Sequence, residues 1–170
     1  MRERRGGFTT FELIIVMLVA AVLAASVVPT LRFLSGMQAD TGVATVVRDL
    51  RYAQTLAMTE RLETWVAFQV ATESYSLYIE SAPNVGRAGR VPVKDPLLQD
   101  DFTRDLGALF GGHCNLATVN IKGTSEVMFD AAGVPHNASD AALTSTGSVV
   151  FDDGRSITIY DQTGYVEFAP

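Results

Sequence analysis

The chain has 170 residues, of which 48% are hydrophobic and 19% are charged, a composition typical of a globular protein rather than a disordered one. This length accommodates one domain with its own core and is too short to expect two. The formal net charge of -6 argues against a chain-wide affinity for nucleic acid or anionic lipid. Because Cys114 is the single cysteine, no intrachain disulfide can form, and the redox compartment stays undetermined.

The N-terminal segment predicts a membrane-spanning helix. Leu13 to Leu31 carries no charge over 19 residues, which as a helix would cover about 29 Å, close to the hydrocarbon thickness of a bilayer. Three arginines among the first five residues place the N-terminus in the cytoplasm by the positive-inside rule, with the rest of the chain exported. An ordinary secretory signal is the alternative, since residues 24–26 (Ala-Ala-Ser) could mimic its cleavage site.

A single carboxylate, Glu12, stands at the head of this apolar run, and the residues before it follow a specific order. The basic leader is followed by Gly6-Gly7, Phe8, two threonines, a second phenylalanine and Glu12. This order resembles the class III signal of type IV pilins and pseudopilins, which a prepilin peptidase cuts after a glycine on the cytoplasmic side. The resemblance implies removal of residues 1–7 as a leader, cleavage between Gly7 and Phe8, and N-methylation of Phe8.

The same resemblance gives Glu12 a role in assembly. A carboxylate in a bilayer costs roughly 2.5 to 3.5 kcal/mol near the centre and less toward the interface, so it normally has a partner. In the family, the corresponding glutamate pairs with the N-terminal amine of a neighbouring subunit. Here that implies a pair between Glu12 and a neighbour's N-terminal amine, which in this chain is that of Phe8. The alternative is that Glu12 only extends its carboxylate to the lipid headgroups.

Pro29 falls at mature position 22, where pilins of this superfamily often carry a proline. Within a helix, proline removes a backbone hydrogen bond and bends or loosens the turn. The helix could also simply end there, at the membrane surface. The pattern that continues beyond Arg32 favours a kink within one helix. Many major pilins carry a helix-loosening glycine at a position that is Ala21 here, which leaves the extent of unwinding on assembly open.

The helix is expected to continue in an amphipathic form over residues 36–63. Residues 8–35 would then form its transmembrane and filament-core half. Arg48, Arg51 and Glu60 supply a polar side to the second half. The apolar residues that recur with helical spacing, and should pack against a sheet, are Val43, Val46, Val47, Leu50, Ala53 and Ala57.

Beyond residue 63 the hydrophobic period becomes that of strands. Residues 64–70 and 74–80 predict a hairpin, and residues 81–112 predict a long excursion with one or two short elements. One helix followed only by strands predicts an α+β domain whose antiparallel sheet or sandwich packs on the helix. This domain is expected to span residues 64–170, with later strands at 117–122, 126–130, 148–152, 156–161 and 165–169.

The C-terminal strands carry a second resemblance, to the GspH/FimT family. Its pattern is F-x-x-x-G-x-P, followed by two strands and a final T-G-x-V. The segment LRYAQTLAM, which begins at Leu50, also resembles the amphipathic helix of that family. The residues that match the C-terminal pattern are Phe129, Gly133, Pro135, Thr163, Gly164 and Val166. Together the two resemblances imply a pilin-like fold.

The sequence holds little that points to catalysis or to a cofactor. His113-Cys114 has no neighbour that completes a catalytic triad or a zinc site, so no catalytic residue, metal ligand or cofactor is assigned. The acidic residues of the long excursion favour a solvated loop over a calcium site, because they lack EF-hand spacing. Between Glu126 and Pro170 the only basic residue is Arg155, against seven acidic ones, so DNA binding is not expected.

These features lead to the hypothesis of a structural, non-enzymatic subunit, a minor pilin or pseudopilin. It would insert once in the bacterial inner membrane with its C-terminal domain in the periplasm, and then join a type II secretion pseudopilus or a type IV pilus. The partners implied are the prepilin peptidase, other pilin or pseudopilin subunits and the inner-membrane assembly platform. The alternative is a membrane-tethered periplasmic binding or enzymatic domain that never assembles.

Overall fold

The computed structural model describes residues 9–169, and of residues 26–35 it describes only the backbone. The chain divides into two compact units, Met1–Met37 and Gln38–Pro170. The predicted cleavage site, Gly7 and Phe8, lies outside the described residues, and so does the side chain of Pro29. Processing and the role of Pro29 therefore stay predictions. The division of the chain into residues 1–7, 8–35, 36–63 and 64–170 also stays a prediction.

One long helix, α1, covers Thr10–Glu60, close to its predicted bounds. It begins after Thr9, whose Oγ1 accepts a hydrogen bond of 3.2 Å from the backbone N–H of Glu12. It ends before Arg61, whose φ of 56° is the left-handed conformation common just past a helix. The backbone is helical through Pro29, so the alternative that the helix stops at this proline is wrong.

The described part of Gln38–Pro170 adds a single-turn helix and ten strands. The helix, α2, covers Leu106–Leu109. The strands are β1 (Thr64–Gln69), β2 (Ser74–Glu80), β3 (Arg90–Pro92), β4 (Thr103–Asp105), β5 (Leu116–Asn120), β6 (Glu126–Phe129), β7 (Pro135–Asn137), β8 (Gly147–Phe151), β9 (Ser156–Ile159) and β10 (Val166–Ala169).

These strands form two antiparallel sheets. The first has six strands in the order β3-β2-β1-β6-β7, and β4 pairs with the other end of β2. The predicted hairpin is its centre, with Trp65 on β1 opposite Tyr78 on β2. The second sheet has four strands in the order β10-β9-β8-β5. The tight turn between β8 and β9 is closed by a hydrogen bond from Gly154 N to Phe151 O, 3.0 Å long.

The core of this unit lies where the amphipathic part of α1 meets both sheets. All six apolar residues predicted to face a sheet are buried, whereas Arg48 and Arg51 are exposed. The helical residues share one cluster with Leu77 of the first sheet and with Ile157 and Ile159 of the second. The predicted α+β fold, with antiparallel sheets packed on the helix, is confirmed.

The segment 81–112 contains more regular structure than predicted. It holds β3, β4 and α2, and a turn around Asp95 and Asp100 joins the two strands. β7 was also missed by the sequence pattern. Three-residue strands are too short to show a period of two, and they are fixed by pairing with a neighbouring strand, as β7 is with β6 and β3 with β2.

Candidate functional site

Residues 11–25 of α1 are exposed on every side of the helix. All of them are apolar apart from Glu12, and every described side chain in this stretch is exposed. Phe11, Met17 and Leu18 are 73%, 66% and 63% exposed. A helix that is apolar all round normally lies buried in lipid or among other helices. Within the described residues, however, no helix combines the length and apolar character needed to cross a membrane.

Glu12 lies in the first turn of α1 and is itself exposed. Thr9 and Glu12 have the spacing of a capping box, in which the threonine hydroxyl accepts a backbone N–H at the helix start. A carboxylate at this end of a helix is also favoured by the helix dipole. The geometry gives Glu12 a local reason to stand where it does, and its pairing with Phe8 of a neighbour stays a prediction.

Gln54 explains why the GspH/FimT-like residues lie together. Its side-chain amide N–H groups donate to the backbone oxygens of Gly133, at 2.9 Å, and Thr163, at 2.8 Å. Gly133 follows β6, and Thr163 lies in the turn between β9 and β10, so one amide on α1 joins a loop from each sheet. The sequence places Gln54 within the LRYAQTLAM segment but does not reveal this contact.

Gly164 completes the same junction. Its φ of 63° is left-handed, and a Cβ on it would lie 2.5 Å from Gln54 Nε2 and 2.7 Å from Gly133 O. Phe129 Cε1 is 3.2 Å from the same position. The glycines and the phenylalanine of the pattern therefore serve the fold, because they let two loops close over the helix.

A buried ionic network lies between α1 and the first sheet. Asp49 is 3% exposed, and its Oδ2 accepts a hydrogen bond of 2.7 Å from the hydroxyl of Tyr75. Arg104 approaches the same oxygen at 3.6 Å and pairs with Asp95 at 2.7 Å. The pKa of Tyr75 is raised, mainly by burial and secondly by the negative charge of Asp49. The phenol therefore stays protonated and donates its hydrogen bond to Asp49. The network joins the helix, the centre of the sheet and the turn after β3.

Three acidic residues of the segment 81–112 have side-chain partners within the protein: Asp95, Asp101 and Asp105. Asp95 accepts the backbone N–H groups of Leu97 and Leu98, and these bonds lower the pKa of its carboxyl group. Asp105 caps α2 by accepting the N–H of Ala108 at 2.8 Å. Among the described residues, no group of three or more histidine, cysteine, aspartate or glutamate side chains could hold a metal ion.

Three basic residues of the segment 81–112, which a nucleic acid would need for its phosphates, are engaged in ion pairs. Arg87 and Arg90 both pair with the carboxylate of Glu126, which is 5% exposed on β6. Lys94 pairs with Asp101 at 2.7 Å. Because each cation has an acidic partner, this segment offers little uncompensated positive charge to a phosphate backbone.

Cys114 lies in the core, and His136 lies on a strand. Cys114 is buried against Gly42, and burial raises the pKa of its thiol to about 11. A thiol with such a pKa is protonated at neutral pH and is a poor nucleophile. His136 lies on β7 with Nε2 3.4 Å from Asp130 Oδ2.

Comparisons with known proteins agree with this architecture. No protein-family model matches the sequence, and no curated protein matches it significantly. The minor pseudopilin EpsH from the type 2 secretion system of Vibrio cholerae has a similar structure, with a TM-score of 0.52 at 12% identity, covering 78% of this chain and 96% of EpsH. The type IV minor pilin FimU of Pseudomonas aeruginosa gives a TM-score of 0.48 at 14% identity, covering 81% and 92% of the two chains. The chain has a pilin-like fold, an N-terminal helix packed on antiparallel sheets as in a minor pseudopilin.

Proposed function

We propose that this chain is a structural subunit, a minor pilin or pseudopilin, that works by assembling with other subunits through α1. The observation that carries the proposal is the exposed apolar surface of residues 11–25. None of these residues belongs to the hydrophobic core described for Gln38–Pro170. Such a surface is stable only when lipid or other apolar helices cover it. A subunit that moves from a bilayer into a filament satisfies this requirement in both places.

The proposal includes insertion in the bacterial inner membrane before assembly. The basic leader keeps the N-terminus in the cytoplasm, and the domain that begins after α1 lies in the periplasm. The prepilin peptidase then removes residues 1–7 and exposes the amine of Phe8, which is N-methylated. The inner-membrane platform of a type II secretion or type IV pilus system adds the subunit to the filament.

Glu12 has the central role in this assembly. Its carboxylate pairs with the N-terminal amine of a neighbouring subunit, so that two charges are neutralised within an apolar bundle of helices. Pro29 loosens the same helix further along and lets it adapt to its neighbours. The sheets form the outer contacts between subunits.

Mass spectrometry of the mature protein tests the processing step. The expected product begins at N-methylated Phe8, with the first seven residues absent. A product cut near Ala25, or an intact leader, contradicts the proposal and favours an exported or tethered domain that does not assemble. A chain whose Gly7 is replaced by a bulkier residue (Gly7→Val) is the control, because the peptidase should leave it uncut.

Replacement of Glu12 tests the assembly step. Glu12→Ala should be inserted and processed but incorporated into filaments much less than the wild type, as measured by the amount of tagged subunit in sheared filaments. Glu60→Ala is the matched control, because Glu60 is an exposed glutamate at the other end of the same helix. Equal incorporation of the two variants would remove the argument from charge pairing.

A further inference from the structure

A shallow groove runs along the exposed side of α1 beside the last strand. It has a volume of about 490 Å³, and its apolar floor is formed by Ala44, Val47 and Phe168. Arg48 and Arg51, three residues apart on the helix, stand at its side. The groove therefore offers an apolar surface next to two guanidinium groups.

Both arginines retain donors for a partner. Arg48 uses Nε for Asp49, at 3.1 Å, and 68% of its side chain is exposed. Arg51 donates one hydrogen bond from a terminal nitrogen to Val166 O at 2.8 Å. A guanidinium has five N–H groups, so a single bond leaves several of them for a carboxylate that approaches the groove.

Asp40 is the acidic residue that lines the same groove. Its carboxylate already forms an ion pair of 3.0 Å with Arg155. Arg155 also pairs with Asp153, so Asp40 keeps part of its negative charge beside the groove. The two arginines on α1 outnumber this one carboxylate, so their attraction for an acidic partner is reduced and not cancelled.

The turn between β3 and β4 has the complementary chemistry. Leu97 and Leu98 are 89% and 67% exposed, the largest exposed fractions among the large apolar side chains described in Gln38–Pro170. Asp100 and Asp101 follow in the sequence LLQDD. Asp101 already pairs with Lys94 at 2.7 Å, so Asp100 is the carboxylate that this turn offers to a partner. We call residues 97–101 the acidic leucine tip.

The tip is held in its shape before any partner arrives. Asp95 accepts the N–H groups of Leu97, at 2.8 Å, and Leu98, at 3.2 Å, and Asp95 N donates to Asp100 O at 2.8 Å. The ion pair between Asp95 and Arg104 ties the base of the turn to the network on Asp49. A preorganised contact loses less conformational entropy on binding, which favours a role in association.

We propose that the acidic leucine tip of one copy of this chain docks in the groove beside Phe168 of a second copy. The leucines cover the apolar floor, and Asp100 faces Arg48 or Arg51 of the second copy. Charge complementarity selects this occupant, because the Asp100 carboxylate beside two exposed leucines matches an apolar groove beside two arginines. The contact uses only the unit Gln38–Pro170, so its failure leaves the proposed assembly through α1 standing.

Disulfide cross-linking of the full-length chain tests this contact. Two copies with different tags are produced together, one with Leu98→Cys and the other with Ala44→Cys, and membranes are treated with a mild oxidant. We expect a cross-linked dimer that carries both tags. The native Cys114 is buried and present in both copies, so the unsubstituted pair supplies the background. Leu98→Cys with Glu60→Cys is the control, because Glu60 is exposed on α1 outside the groove.

A charge reversal separates a specific contact from proximity alone. Asp100→Lys, added to the tip copy, should lower the cross-linking yield at least about threefold, the effect of one exposed ion pair. Asp152→Lys changes another exposed aspartate, outside the tip, and should leave the yield unchanged. Equal yields for the groove and Glu60 positions, or cross-linking of the tip only to a different protein, would overturn the proposal.

Discussion

At the scale of single residues, Gln54 and Gly164 determine how two loops close on the helix. Gln54 offers its amide N–H groups to Gly133 and Thr163, and Gly164 leaves the space that this amide needs. The similarity to the GspH/FimT pattern was visible in the sequence. The physical reason for that pattern was not, because the residues involved are far apart along the chain.

Replacing Gly164 with alanine should destabilise the domain by about 2–4 kcal/mol, since a left-handed residue without glycine costs about 1–2 kcal/mol and the new Cβ also meets backbone. The measurement is urea unfolding followed by the fluorescence of Trp65, the buried single tryptophan. Gly154→Ala is the matched control, because Gly154 also has a positive φ but a Cβ added to it would meet no atom within 4 Å. If both variants lose the same free energy of unfolding, the space beside Gln54 does not contribute to the stability of the domain.

The thiol of Cys114 should be nearly inert in the folded protein. Burial raises its pKa to about 11, so at pH 8 only a small fraction is thiolate, and reagents also lack access. A thiol-reactive chromogenic reagent should label the native chain slowly and the urea-unfolded chain rapidly. Rapid labelling of the native chain would contradict this burial.

At the scale of elements, α1 changes its surroundings along its length. Leu50 is fully buried between the helix and the sheets, whereas Leu18 in the N-terminal unit is 63% exposed. The sequence predicted this difference because helical spacing of apolar residues indicates a one-sided core, and an uninterrupted apolar run indicates a helix covered on all sides.

Leu50→Ala should lower the free energy of unfolding by about 2–5 kcal/mol, because it opens a cavity in the core. Leu18→Ala is the same chemical change on the same helix and should alter this value by less than about 0.5 kcal/mol. Urea unfolding of the full chain in detergent, followed by Trp65 fluorescence, measures both. A comparable loss for Leu18→Ala would show that the N-terminal part of α1 contributes to the domain core.

The turn after β3 depends on the charge of Asp95. The N–H groups of Leu97 and Leu98 favour its carboxylate and lower its pKa below the ordinary 3.8. A lowered pKa stabilises the fold at pH values above 3.8, and this contribution is lost as the pH falls below that value. The difference in unfolding midpoint between the wild type and Asp95→Asn should therefore shrink between about pH 6 and about pH 3. If the difference in unfolding midpoint does not change with pH, the charge of Asp95 does not stabilise the turn.

At the scale of the whole molecule, local sequence patterns predicted the main helix and strands. The buried polar contacts between them depend on residues that are far apart in the sequence. The long helix, its buried face and the central hairpin follow from periodicity within a few turns or strands. Asp49 could not be assigned from its position, because its partners Tyr75 and Arg104 come from two strands of the sheet. A buried acid within a helix pattern looks like an ordinary polar residue until the opposing side chains are known.

The double contact of Gln54 also has a consequence for the order of folding. Its two acceptors lie 79 and 109 residues further along the chain. The helix can form early from local contacts, but these two bonds can close only after both distant loops have been synthesised. Closing such long loops costs chain entropy and slows folding, so we expect the docking of α1 by Gln54 to be a late event in the maturation of the domain.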